Sequence, residues 1–266
     1  MPARIPMTAK QREALLALPM TEEEVIAHHS LDENERAAIA RLRSPANQLG
    51  YALQLCCLRF PGRYLRRGEL LPAIMLDHVA EQIDVDADVI ADFAKRGPTR
   101  YEQLASIKRN HGFVDLTHPV RAELKQWLEA EALSCTDGRL LLERLIARMR
   151  ERKIIIPGVS VIERLTASAM HAADAKVASE ILAQLNTEQK AKLNAVLDDK
   201  THAQQSRLSW LREPPIRVGA RGLFELLDKI DYIRRLGIGE LALPDYLKLR
   251  LSQLAREGVR YTAQAL

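Results

Sequence analysis

Apolar residues recur at spacings of three and four along nearly the whole 266-residue chain, and glycine and proline stand mostly between the periodic runs. The pattern predicts helices almost throughout. Thr8 caps a first helix to about residue 18. Thr21, followed by Glu22, Glu23 and Glu24, opens a second whose acids answer the positive end of the helix dipole. Asp32 and Glu35 have capping-box spacing at the start of a third, to about residue 42. Ser44 and Pro45 read as N-cap and first helical residue, because proline fixes φ and lacks the N–H that is orphaned there. That helix runs to residue 60, where Pro61 and Gly62 stop it. Further helices are predicted from Pro72 (apolar at Ile74, Leu76, Val79, Ala80 and Ile83), over 86–96 with Gly97 and Pro98 as the stop, and from Thr99 to about 110. The rest cover 117–133, 136–153, 160–185, a stretch opening at Thr187, 220–236 and 244–257. Residues 111–119 break the period. Residues 154–158 form an apolar connector that periodicity alone does not separate from a strand, and no fixed-period repeat marks a solenoid.

The expected fold class is therefore all-α. Two multi-helix units are drawn, 1–115 and 116–266, the second with a Pro-rich basic connector near 210–221. Short helices joined by tight turns are compatible with helix-turn-helix modules in each.

One helix is patterned for more than packing. Leu49, Leu53, Cys56 and Phe60 make one apolar stripe, while Asn47, Tyr51 and Gln54 fall on a second that carries amides. Arg59, Arg63, Arg66 and Arg67 crowd its exit. Amides pair bidentately with adenine and arginine with guanine in the major groove, so this combination suits DNA.

Composition narrows the class. Hydrophobic residues at 47% supply a core, and aromatics at 5% mean that it is built mainly from Leu, Ile, Val and Ala. No apolar run approaches the roughly 18 residues of a membrane span, and the N-terminus lacks the charged-then-apolar pattern of an export signal, so a cytoplasmic location is expected. Cys56, Cys57 and Cys135 are odd in number and have no metal-ligand spacing, which favours reduced, packed thiols. A net charge of +4 is only mildly basic. Clustering matters more than the total, because phosphate neutralisation is local.

The segment 44–65 closely resembles the start of the TnpA transposases of replicative, cointegrate-forming transposons, the Tn-three family. Three further segments resemble the family in the same order: Thr99-Arg-Tyr-Glu-Gln-Leu-Ala-Ser-Ile107, Trp210-Leu-Arg-Glu-Pro-Pro-Ile-Arg217 and Leu254-Ala-Arg-Glu-Gly258. Together they cover nearly the whole chain. Members of this family are several times longer, and their acidic, metal-binding catalytic core lies toward the C-terminus. The resemblance thus implies the N-terminal DNA-recognition part without the chemistry. Leu266 is expected to be either a natural end or a cut in a longer chain.

Four basic clusters are candidate DNA contacts. In the first, Asn47 or Gln54 would read bases and Arg59, Arg63, Arg66 and Arg67 would hold phosphates; the alternative is structural amides beside solvated arginines. In the second, Arg96 and Arg100 flank the start of the helix at Thr99 as a phosphate clamp, with Lys95, Lys108 and Arg109 nearby, against an ordinary exposed cap. In the third, Arg139, Arg144 and Arg148, followed by Arg150, Arg152 and Lys153, oppose an apolar face of Leu141, Leu145, Ile146 and Met149. Arg144 and Arg148 are one turn apart and can track neighbouring phosphates, but Glu143 and Glu151 can also pair with this set. In the fourth, Arg212, Arg217 and Arg221 surround Pro214-Pro215, an arm in which Arg217 would probe a narrow minor groove; a plain inter-helix linker is the alternative.

Enzymatic signatures are missing. Asp84, Asp86, Asp88, Asp92, Asp198 and Asp199 sit where carboxylates cap helices or solvate faces. No Gly-rich loop follows a strand, and the histidines show no metal spacing. No catalytic residue, metal or cofactor is expected. The predicted function is binding of double-stranded DNA at transposon terminal inverted repeats, with other transposase subunits or the rest of the transposase as partners. A helical protein-interaction scaffold and a truncated relative acting as a repressor are the other readings.

Overall fold

Side-chain caps set most of the helix starts. Thr8 with Gln11, and Asp32 with Glu35, close reciprocal capping boxes, while Thr21, Ser44, Asp137 and Ser206 each accept from a first-turn N–H. A computed structural model describes residues 5, 7–66, 68–93, 97–198, 206–215, 219–239 and 241–258. Among these the elements are α1 (Ala9–Leu15), α2 (Glu22–His29), α3 (Glu33–Ala40), α4 (Pro45–Arg59), α5 (Ala73–Gln82), a 3-10 helix η1 (Ala87–Asp92), α6 (Gly97–His111) and α7 (His118–Ser134). The chain continues with α8 (Gly138–Glu151), α9 (Val159–Gln184), α10 (Thr187–Asp198), α11 (Arg207–Arg212), α12 (Ala220–Arg235) and α13 (Asp245–Gly258). The class is all-α. An isolated parallel bridge joins Val114 and Ile154. No helix among them is long and apolar enough to cross a membrane.

Three local readings are corrected. The helix expected from Thr99 begins at Gly97, because Pro98 fits a first turn, where its missing N–H is not needed. The expected helix 86–96 is a 3-10 helix over Ala87–Asp92 that Asp86 caps. Residues 210–212, placed in the Pro-rich connector near 210–221, belong to α11 instead, capped by Ser206.

The chain divides into two compact units, one comprising Met1–Leu128 with Asp137–Ala169 and the other Glu129–Thr136 with Met170–Leu266. The break in period at 111–119 is real but lies inside unit 1. Val114 donates to the Lys153 carbonyl and accepts from Ile155, and Ile156 donates to the Gly62 carbonyl, so the segment after α8 is held to the exit of α4. Ile155 joins the same apolar cluster as Leu53.

In unit 1, α4 is the central element, and its residues from Leu49 to Leu58 are all buried. Helices α2, α3, α5, α6 and η1 pack around it. Gly50 makes the seat for η1: a Cβ there would lie 2.1 Å from the Phe93 ring. Gly62, at φ 95, turns the chain out of α4 in a conformation that favours glycine.

His29 reports on this core. It is fully buried at the end of α2, its Nε2–H donates to the Phe60 carbonyl at 2.9 Å, and burial pushes its pKa down to about 4. The folded protein resists the proton that the unfolded chain accepts from pH 6.5 downward. Stability is therefore complete above pH 6.5 and falls as the pH drops toward 4, by up to about 3 kcal/mol from this group. His111, also held below its ordinary value by burial, adds to the loss with the same sign. Carboxylates held low, such as Glu69 and Asp115, act only in more acid solution. Urea titrations between pH 7 and 4.5 should show this decline and His29→Gln should flatten it; an unchanged slope in the variant would contradict the assignment.

In unit 2, Arg250 of α13 is 1% exposed, bonded to the Ala132 carbonyl and paired with Asp174. Helix α12 turns a mixed face inward: Gly222 and Lys229 are buried, and Glu225 and Tyr232 half-buried. Lys229 donates to the Glu213 carbonyl at 2.7 Å and pairs with Glu225, and its ammonium stands 5.5 Å from the Trp210 ring. Leu223, Phe224, Leu227, Ile230 and Ile233 of the same helix are exposed.

Candidate nucleic-acid interface

The structure sorts the predicted contacts by what their side chains already hold. Gln54 is 0% exposed. Its amide donates to Gln103 Oε1 at 3.0 Å, and Gln103 donates in turn to the Asn47 carbonyl. Gln54 is thus a structural amide fixing α6 against α4, and its reading as a base contact is corrected: its own amide and the neighbouring Tyr51 are buried. Asn47, one turn from the N-terminus of α4, is half-buried.

Arg63 is likewise inside. Its guanidinium donates to the Leu16 and Tyr64 carbonyls and forms a two-bond pair with Glu69 at 2.9 and 2.6 Å. Arg59 joins Glu35 and the Ser30 carbonyl, and Arg100 the Leu65 carbonyl. Arg63, its side chain 8% exposed, is thereby corrected as a phosphate contact, while Arg59, 33% exposed, and the half-buried Arg100 bond to the protein's own loops as well. Lys108 pairs with Asp115, Arg139 with Glu143, and Arg148 with Glu151 while standing over the Trp127 ring. Arg139 and Arg148 are thus each paired within α8, as the second reading of this cluster allowed. Arg144 is exposed on the same helix.

Arg66, Arg109 and Arg221 remain exposed with no ion pair among the described residues. Arg212 lies half-buried in α11, so the arm is helical up to that point. Arg67, Arg96 and Arg217 lie outside the described residues, and with them the proposed minor-groove probe.

Sequence reasoning passed over Arg36, Arg41 and Arg43, which are exposed at the junction of α3 and α4 and have no ion pair among the described residues. The signal was available: three arginines within eight residues flank a capped helix start, the geometry in which backbone N–H groups and cations act on phosphate together. The candidate interface of unit 1 thus consists of Arg36, Arg41, Arg43, Arg66 and Arg109, with Asn47 beside the same helix start.

The described residues of unit 1 thus form an all-helical unit with exposed arginines beside a capped helix start. More narrowly, residues 7–169 match a family described as Domain of unknown function (DUF4158), and the match ends where unit 1 ends. The chain belongs to that family and is related to the N-terminal region of the TnpA transposases of the Tn-three family. It is 30% identical to the transposase for transposon Tn21 of Escherichia coli, over 98% of this chain and 26% of that protein. Identity is 28% to the transposase for transposon Tn501 of Pseudomonas aeruginosa, over 100% and 27%. It is 26% to the transposase for transposon Tn1546 of Enterococcus faecium, over 97% and 26%. The chain spans about a quarter of the length of these relatives.

Proposed function

We propose that this chain binds the terminal inverted-repeat DNA of a transposon, as the DNA-recognising part of a transposase whose metal-dependent strand chemistry resides elsewhere in that enzyme. Whole-length relatedness to transposases is the observation that carries the reading. The exposed arginines of unit 1 supply the physical means: each phosphate neutralised releases counterions, and the side chains that remain unpaired in the fold are the ones free to do it. Such a protein acts in the bacterial cytoplasm, at transposon ends within the nucleoid. A relative of this kind that held the ends without the chemistry would act as a repressor by the same contacts.

The test compares two exposed arginines of unit 1. Arg109→Ala and Arg66→Ala should each weaken duplex binding, lower the dependence of log affinity on log salt by about one, and leave the unfolding midpoint in place. Unchanged affinity and slope in both would remove this surface.

The scaffold reading is favoured by one observation, the outward apolar face of α12 with Leu223 60% and Phe224 66% exposed. Binding of a protein partner that is indifferent to competing duplex would support it over DNA recognition.

A further inference from the structure

Unit 1 contains a cavity of about 140 Å³ where the C-terminal ends of α4, α6 and α8 come together. That is far above the ~15 Å³ one water needs on the same measure. Leu55 and Phe113 give its wall an apolar part, and Arg59, Arg150 and Lys153 bring cations to it. Glu35 is the one carboxylate in the lining, and Arg59 is paired with it; His111 Nδ1 stands 3.7 Å from the same carboxylate.

Arg150 and Lys153 have no acidic partner among the described residues. Arg150 lies over the Phe60 ring at 4.4 Å and donates Nε–H to the Pro61 carbonyl at 2.9 Å, with a longer contact to the Leu15 carbonyl at 3.4 Å. Burial holds its guanidinium below the ordinary arginine pKa. Lys153 donates to the His111 carbonyl at 3.0 Å. These carbonyls occupy only some of the donors that a guanidinium and an ammonium carry, and a carbonyl is no counter-charge. Arg150 is half-buried whereas Lys153 is exposed, so the missing counter-charge bears on Arg150: a desolvated cation is normally matched by an anion.

Lys153 is also conformationally out of place. It sits at φ 52, just beyond the end of α8, a left-handed position that glycine occupies without strain. A lysine there brings an ammonium to the cavity wall at the expense of backbone comfort.

The geometry points to an anion site in this cavity that takes a phosphate group between Arg150 and Lys153, with Phe113 and Leu55 against the remainder of the ligand. The phosphate comes either from a DNA backbone or from a free phosphate or phosphoryl compound. The site does not depend on the DNA-binding reading.

Isothermal titration of the 266-residue chain with inorganic phosphate, in a chloride buffer of constant ionic strength, tests it. Saturable one-site binding is expected. Lys153→Gly, which relieves the left-handed strain and so keeps the fold, should weaken that binding about tenfold or more, and Lys153→Arg should restore most of it. If Lys153→Gly also weakens duplex binding and phosphate competes with duplex, the ligand is the DNA backbone. If duplex binding is untouched, it is a free phosphoryl compound. No saturation up to about 10 mM phosphate, where even a millimolar Kd would register, together with unchanged duplex binding in Lys153→Gly, overturns the site. Equal phosphate affinity in wild type and Lys153→Gly overturns it as well.

Discussion

Replacing Leu53 with alanine is expected to cost about 3–5 kcal/mol of folding stability, enough to remove much of what a domain of this size has. The side chain is 0% exposed and sits mid-way along α4, a helix covered on all sides. A buried leucine cut to alanine loses its transfer free energy and leaves a cavity that such surroundings refill only in part. Leu70, 94% exposed, is the control: Leu70→Ala should move stability by no more than about 0.5 kcal/mol. Urea unfolding of both variants checks the pair. Near-equal midpoints would mean that α4 is not the centre of the core.

The second large effect separates two arginines that the sequence places three residues apart. Arg63→Ala should destabilise by about 2–4 kcal/mol. It strands the Glu69 carboxylate and two backbone carbonyls around a guanidinium side chain that is 8% exposed. The range is set below that of a wholly enclosed pair because Glu69 is more open, at 15%. Arg66→Ala, by contrast, should leave the fold intact and act on duplex binding alone. A loss of DNA affinity in a fully stable Arg63→Ala would contradict this division.

These two arginines show where sequence reasoning reaches and where it stops. Helix starts were legible because caps are local chemistry: Thr8, Thr21, Asp32 and Ser44 act within three residues of themselves. The apolar stripe of α4 was legible for the same reason. Its second stripe was misread because periodicity identifies a face without saying what covers it, and Tyr51 and Gln54 lie under neighbouring elements in a helix buried all round. The partners of the arginines are set by the fold: Arg59 finds Glu35 from another helix, Arg63 the carbonyl of Leu16, and Arg100 that of Leu65. The division was drawn at 115/116 because a break in helical period at 111–119 looks the same whether the chain leaves a unit or returns to it; the compact units divide elsewhere. The Val114–Ile154 bridge, joining residues forty apart, is invisible to any local pattern.

The arginines left exposed by this sorting, Arg36, Arg41, Arg43, Arg66 and Arg109, bear the functional account. Its central claim is sequence-specific recognition of duplex DNA. Fluorescence-anisotropy titration against the transposon's terminal inverted repeat and a scrambled duplex of equal length, repeated across a salt series, tests it most directly. The repeat should bind more tightly than the scrambled duplex, with the preference persisting as salt weakens both. Equal binding of the two duplexes at every salt concentration, or none to either, would contradict it.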